Sequence, residues 1–410
     1  RISGGDQYRG QYRGIADQGV AASVRKLRRL GADLSYGGRR IAFKYFAGSR
    51  PMKVIIATGG TGGHIIPALE VARCLKKQGH EVIFIGAFRH WAERIKNEGF
   101  ERIEELPAKG LAKGSVAGSI SSVILMARSF LKCLSLVRQI RPDAVAGFGG
   151  YGAFPVVSAA AFLRYPTLFH EQNVVPGRAN KILSVFVRRI AVSFERSKKY
   201  LPPDKVVVTG CPTHVEVNRF QSETLLKELN LDPVRKTILV LGGSQGSHRI
   251  NAEFMKVLRG IRGEHPVQVF HIAGKEDLES LKAEYKSLGI PFCLYDFYKE
   301  MNKAYQIADL VICRAGALSV TEIALTKKQA ILIPYPFAQN HQKENAFVLR
   351  DAGVAEVIEE KDLTTERLRV SVDAVLRNPK LPQEIEERTR VVSFPDAAQR
   401  IAQEIITIRS

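Results

Sequence analysis

Three times along this chain a short apolar run breaks into a glycine-rich turn. The first run, Val54-Ile55-Ile56-Ala57, enters Gly59-Gly60-Thr61-Gly62-Gly63-His64 and is followed by Ile65-Ile66-Pro67-Ala68-Leu69-Glu70-Val71-Ala72, apolar at helical spacing. Read as strand, turn and helix, it sets several unencumbered backbone N–H groups beside a helix N-terminus, which suits a phosphate or pyrophosphate. The other two turns are Gly147-Phe148-Gly149-Gly150-Tyr151-Gly152 and Gly242-Gly243-Ser244-Gln245-Gly246. A dinucleotide fingerprint needs glycine where Ile65 stands, and no Gly-Lys-Ser/Thr follows to make a P-loop. A nonstandard diphosphate cradle ending in His64 remains.

Strands alternate with helices throughout. Lys53–Ala57, Glu81–Ile85, Ala144–Ala146, Thr167–Phe169, Arg189–Val192 and Val206–Val208 form one series, broken at Gly210-Cys211-Pro212. Thr237–Leu241, Gln268–Ile272, Phe292–Tyr295, Leu310–Cys313 and Ala330–Ile333 form a second. This pattern predicts an α/β chain of two Rossmann-like, doubly wound parallel-sheet domains facing a cleft. The length of 410 residues suffices for two such cores. Ligands of these sheets bind beyond the carboxyl ends of the strands, so all three glycine loops are expected to line the cleft.

The formal charge of +20 predicts attraction to anions without choosing among them. Residues 1–51 hold eleven Lys/Arg against three Asp, repeat Gln-Tyr-Arg-Gly and show no sustained apolar period. They read as a leader: a tag, upstream-translated sequence or an Arg-rich transit peptide, expected to be largely disordered, with Met52 as the natural start. Five scattered cysteines without a Cys-x-x-Cys pair predict reduced thiols and no structural zinc. No apolar run reaches the length of a spanning helix. Nucleic acid is disfavoured as a partner, because no reader motif or aromatic-basic interleaving is present.

Several constellations carry chemistry. His64, at the lip of an anion loop, is a candidate base for a substrate hydroxyl; the competing reading is a polar helix cap. Ser244 and Gln245 offer a hydroxyl and N–H groups to a second phosphate, or simply form a tight turn. Arg314-Ala315-Gly316-Ala317-Leu318-Ser319-Val320-Thr321-Glu322 follows a strand, so a helix starting near Leu318 would aim its N-terminus at an anion. Glu322 could then accept from both hydroxyls of a ribose, or serve only as a favourable first-turn acid. His170-Glu171-Gln172-Asn173 closes a strand at its carboxyl end, yet lacks the spaced partner that a metal site needs. Glycosyl transfer from a nucleotide-sugar fits this inventory, with helix N-termini and basic groups taking the leaving-group charge, since no Asp-x-Asp is present. From Lys109 to Arg141, Ile120, Val123, Ile124, Ala127, Phe130, Leu131 and Leu134 recur at helical spacing among Lys109, Lys113, Arg128, Lys132 and Arg138. That segment could rest on an anionic bilayer or pack as an ordinary core helix.

Together, Gly59–His64, Gly149-Gly150-Tyr151, His170–Asn173, Gly242–Gly246, Arg314–Leu318 and Asn340-His341-Gln342 with Asn345 resemble the MurG glycosyltransferases of bacterial peptidoglycan synthesis, from Met52 to the C-terminus. The resemblance implies a GT-B fold with an acceptor domain at 52–211, a donor domain at 212–394, and a final helix at 395–410 crossing back to the first. It implies inverting transfer of N-acetylglucosamine from UDP-N-acetylglucosamine to the muramyl C4 hydroxyl of lipid I, the undecaprenyl-pyrophosphoryl-muramyl-pentapeptide, giving lipid II. No cofactor or metal is expected, and the place of work is the cytoplasmic face of the cell membrane. By the same carry-over His64 is the base and Glu322 takes the ribose. Gly60, Gly63, Gly149, Gly150, Tyr151, His170, Glu171 and Asn173 would face the acceptor. Thr61, Gly62, Gly63, Asn173, Ser244, Gln245, Tyr298, Arg314, Ala317 to Thr321, Gln342 and Asn345 would face the donor. One departure concerns the linker: relatives commonly read Gly-Asn-Pro-Val-Arg where this chain has Gly210-Cys211-Pro212-Thr213-His214. Another GT-B enzyme, such as a glycolipid glycosyltransferase or a UDP-N-acetylglucosamine epimerase, and a non-catalytic scaffold binding the lipid pyrophosphate are the alternatives.

Overall fold

The structure, a computed structural model, describes residues 50–106, 116–215, 222–243, 246–336 and 341–409, with backbone alone for 116–124. Leader residues 1–49, and Lys109, Lys113, Ser244, Gln245 and Asn340, lie outside the described residues.

The first half runs β1 (Lys53–Gly59), α1 (Gly62–Lys77), β2 (Glu81–Ala87), α2 (Trp91–Asn97), β3 (Ile103–Glu105), α3 (Val116–Ile140), β4 (Ala144–Gly147), α4 (Ala153–Phe162), β5 (Thr167–Glu171), α5 (Arg178–Phe186), β6 (Arg189–Val192) and β7 (Val206–Val208). The second runs α6 (Ser222–Glu228), β8 (Lys236–Leu241), α7 (His248–Ile261), β9 (Val267–Ile272), α8 (Leu278–Leu288), β10 (Phe292–Tyr295), α9 (Met301–Ile307), β11 (Leu310–Cys313), α10 (Ala317–Leu325), β12 (Gln329–Leu332), α11 (His341–Asp351), β13 (Ala355–Val357), α12 (Thr365–Arg377), α13 (Pro382–Thr389) and α14 (Ala397–Thr407).

All strand pairs are parallel. The seven-stranded sheet has the order β3-β2-β1-β4-β5-β6-β7 and the six-stranded sheet β10-β9-β8-β11-β12-β13. Strand side chains alternate between faces, so Val54 and Ile56 enter one apolar cluster while Ile55 and Ala57 enter another. Ile238 and Val240 likewise separate from Leu239 and Leu241. A sheet covered on both faces requires such continuous apolar runs.

One detail corrects the sequence reading. The helix expected from Ile65 begins at Gly62, so the glycines form its first turn rather than a loop before it. The apolar stretch 151–163 leads by a short turn into α4, which runs unbroken through Pro155. That proline sits in the first turn of α4, where a missing N–H costs nothing.

Helix α14 returns to the first sheet. Ile401, Ala402 and Ile405 pack with Ile65, Ala68 and Leu69 of α1, and Arg188 donates to the Ile408 carbonyl at 3.1 Å. Arg189–Glu404 and Arg409–Asp143 add ion pairs.

Candidate active site

In both sheets the strand order reverses once, between β1 and β4 and between β8 and β11. Such reversals open a crevice at the carboxyl ends of the strands. The segments there are 59–63 and 147–152 in the first sheet, and Gly242, Gly243, Gly246 and 314–316 in the second, so topology brings the glycine turns to the two crevices.

The first crevice is tightly interlocked. Gly150 has φ +77°, and a Cβ on it would stand 2.0 Å from the Gly59 carbonyl oxygen. Gly149 has φ +83°, and its Cβ would reach 2.7 Å from Cδ2 of His64. The two turns therefore touch through bare backbone, and the His64 imidazole lies on Gly149. Thr58 donates to the His64 carbonyl at 3.1 Å and fixes that backbone. The ring is half-buried, with Nδ1 sealed from solvent and without a hydrogen-bond partner among the described residues. Burial lowers its pKa to about 4, so the imidazole is neutral with a free lone pair at physiological pH. Thr61 and Gly63 are exposed and Gly60 and Gly62 partly so, which leaves the N-terminus of α1 open to solvent. Tyr151 projects outward at 51 % exposure.

The strand end His170-Glu171-Gln172-Asn173 faces mostly inward. His170 is fully buried; its Nε2 donates to the Gly210 carbonyl at 3.0 Å, and burial, with His64 nearby, holds its pKa at about 4. Glu171 accepts four bonds from the loop after it and the first turn of α5: Asn173 N–H and Nδ2 on Oε1, Gly177 N–H and Asn180 Nδ2 on Oε2. Gln172 donates to the Phe148 carbonyl at 2.8 Å. These side chains shape the loop, and only Asn173 reaches the domain boundary.

There it meets Asn345. That fully buried residue of α11 donates through Nδ2 to Asn173 Oδ1 at 3.0 Å and to the Ala315 carbonyl at 3.2 Å, and accepts from Val174 N–H at 2.9 Å. His341 Nδ1 donates to the Val175 carbonyl at 2.7 Å. Asn173 and Asn345, both expected to read the sugar, thus stand side by side between the domains.

In the second crevice α10 starts after Gly316, presenting the half-exposed Leu318 and Ser319 in its first turn. Ala317, Val320 and Thr321 are buried, and the Thr321 hydroxyl donates back to the Ala317 carbonyl. Arg314 is a scaffold: it pairs with Glu360, donates to Ser247 Oγ at 2.8 Å and to the Ile333 carbonyl at 3.3 Å, tying three loops together. Gln342 Oε1 accepts from Tyr335 N–H at 2.9 Å. Tyr298 stands past the end of β10 against Phe270, ring centroids 4.9 Å apart.

Glu322 is 5 % exposed. Its Oε2 accepts from Tyr305 Oη at 3.0 Å and its Oε1 from Thr213 Oγ1 at 2.9 Å. Burial raises its pKa to about 7 against those two donors, which favour the ion. Sequence reasoning missed Thr213 and Tyr305; the one available signal was the departure at position 213.

Among the described residues, the cluster able to gather metal-ligand atoms is Glu264, His265 and Asp373. Glu264 and His265 precede β9, at the opposite sheet end from the crevices, Asp373 lies on α12, and the two carboxylates are taken by ion pairs from Arg369 and Arg377.

The sequence matches the glycosyltransferase family 28 N-terminal domain over residues 54–192 and the family 28 C-terminal domain over 237–401. A UDP-N-acetylglucosamine–N-acetylmuramyl-(pentapeptide) pyrophosphoryl-undecaprenol N-acetylglucosamine transferase of Halalkalibacterium halodurans is 34% identical, covering 85% of this chain and 98% of its own. The enzyme of that name from Thermoanaerobacter sp. is 36% identical over the same shares. The crystal structure of Acinetobacter baumannii MurG superposes with a TM-score of 0.68 at 30% identity, covering 87% of this chain and all of that one. The chain therefore belongs to glycosyltransferase family 28 and, within it, to the MurG family.

Proposed function

We propose that this chain moves N-acetylglucosamine from UDP-N-acetylglucosamine to the muramyl sugar of lipid I, forming lipid II. The observation that carries the chemistry is the neutral imidazole of His64, seated on the bare backbone of Gly149 beside the solvent-open N-terminus of α1. The acceptor C4 hydroxyl attacks the anomeric carbon, the bond from that carbon to the diphosphate oxygen breaks, and His64 takes the hydroxyl proton. One displacement inverts the anomeric centre. The low resting basicity of His64 rises when two anionic diphosphates settle beside it, because nearby negative charge favours imidazolium. Charge on departing UDP falls to the N-terminus of α10 and the backbone at Gly242 and Gly243, so no metal is required. Glu322 takes the ribose and Tyr298 borders the base. Glu171, Gln172 and Arg314 act by holding the loops. Replacement His64→Ala is the test: UDP binding stays at the wild-type value while turnover falls by at least about a hundredfold. Unaltered turnover would hand the proton to another group.

We also propose docking on an anionic membrane surface. No helix among the described residues is long and apolar enough to cross a membrane. Helix α3 packs Cys133, Val137 and Ile140 into the core, yet Leu131 stays 64 % exposed. Phe162 of α4, and Ile182, Val185 and Phe186 of α5, are also 55–69 % exposed. Arg128, Lys132 and Lys181 are exposed on these same helices, and Arg164 is exposed just past the end of α4. Apolar side chains interspersed with cations on adjacent helices suit the headgroup boundary. The surface is thus wider than the single segment near 109–141 that the sequence suggests.

A further inference from the structure

Thr213 belongs to the linker between the two halves, 109 residues from Glu322, and its hydroxyl has a fixed sense. It accepts from the N–H of Val215 at 3.3 Å, which leaves its proton for Oε1 of Glu322 at 2.9 Å. Tyr305 of α9 donates to the other oxygen at 3.0 Å. A carboxylate offers about four lone-pair positions. One donor on each oxygen leaves one vacancy on each, the arrangement that two adjacent hydroxyls of a ribose can fill. Without these donors, a buried carboxylate would rotate or keep its proton, and the pair of acceptors would be lost.

We propose that Thr213 is a positioning residue for donor recognition: from the interdomain linker it fixes the Glu322 carboxylate so that both oxygens face a vicinal diol. The proposal rests on the reading of Glu322 as the ribose acceptor and extends it to a residue outside the donor domain's sheet. Among the described residues, the linker is anchored on either side of Thr213. Gly210 accepts from His170 Nε2, the imidazole beside His64, and the His214 carbonyl accepts from Asn302 Nδ2 at 3.3 Å. Only Cys211 and Pro212 therefore separate the residue bonded to the acceptor-side imidazole from the one bonded to the donor-side carboxylate. The titratable groups facing Glu322 are Cys211 of the linker, Tyr305 of α9 and Cys313 of β11, all held neutral because burial raises their pKa values. The two hydroxyl donors are thus what favours its ionised form.

The experiment compares full-length wild type, Thr213→Val, Thr213→Ser and Glu322→Gln for binding of UDP and 2′-deoxy-UDP, and for KM and kcat with UDP-N-acetylglucosamine between pH 6 and 9. Wild type is expected to favour UDP over its 2′-deoxy analogue by about tenfold or more, the scale of hydrogen bonds to a charged group. Thr213→Val should shrink that preference to within about threefold, raise KM several-fold with kcat within about twofold, and move the acid-side loss of binding to higher pH. Thr213→Ser should restore all three. If Glu322→Gln abolishes the ribose preference while Thr213→Val keeps it, Thr213 has no such role. If serine fails to rescue, its contribution is packing, and the proposal is overturned. If Glu322→Gln itself keeps the preference, the ribose reading of Glu322 fails, and this proposal with it.

Discussion

Replacing Gly149 by alanine tests the placement of His64 without touching its ring. The new Cβ would stand 2.7 Å from Cδ2 and 3.2 Å from Nε2 of His64. Carbon atoms pack at about 3.5–4.0 Å, so the imidazole or the loop must yield by about 1 Å. A misplacement of that size costs roughly a hundredfold in rate. The left-handed φ of +83° adds a separate penalty of about 1–2 kcal/mol to folding. Gly79→Ala supplies the control, since Gly79 has φ +84° with nothing within 4 Å. At about 2–4 °C per kcal/mol, both variants should melt roughly 2–8 °C lower. In steady-state transfer with saturating donor, only Gly149→Ala should lose about a hundredfold in kcat, and both should bind UDP normally by calorimetry. Wild-type kcat in Gly149→Ala, or equal loss in Gly79→Ala, would refute the claim that the Gly149 backbone seats the base.

Other expectations follow from the same geometry. Because Glu322 is raised to about 7 by burial, kcat/KM for the donor should fall as pH drops through 7, whereas Glu322→Gln should be flat until His64 protonates near 4. The folded state holds that proton more tightly than the unfolded chain, so Glu322 makes stability decline as pH rises from about 4.5 to about 7, a slope that denaturation of Glu322→Gln should lack. Asn345→Ala strands the buried Val174 N–H and Ala315 carbonyl and should cost about 1–3 kcal/mol by chemical denaturation, with a weakened donor KM. Phe186→Ser, at a 66 % exposed site, should leave stability within about 0.5 kcal/mol and reduce cosedimentation with anionic vesicles; unchanged cosedimentation would remove α5 from the docking surface.

Much of the fold was legible because a doubly covered parallel sheet needs continuous apolar strands. Runs such as Thr237–Leu241 and Leu310–Cys313 announce themselves. The strands that escaped, β3 and β13, have three residues each and lie at sheet edges, where burial demands little of their sequence. Crevice loops were legible too, since close backbone approach at Gly149 and Gly150 leaves glycine as its trace. What sequence could not reveal was where polar side chains spend their hydrogen bonds. His170, Glu171 and Gln172 read as ligand contacts, yet burial turns them toward Gly210, residues 173–180 and Phe148. The pairings Asn173–Asn345 and Thr213–Glu322 join residues 172 and 109 positions apart, and no local period encodes them.

The central claim is that two crevices hold the diphosphates while one neutral imidazole takes the proton. Its most direct test is transfer of radiolabelled sugar from UDP-N-acetylglucosamine to a lipid I analogue, with excess chelator present. The account predicts labelled disaccharide lipid at an undiminished rate in wild type and almost none in His64→Ala. Loss of transfer on chelation that is reversed by a divalent cation, or donor consumed without acceptor, would contradict it.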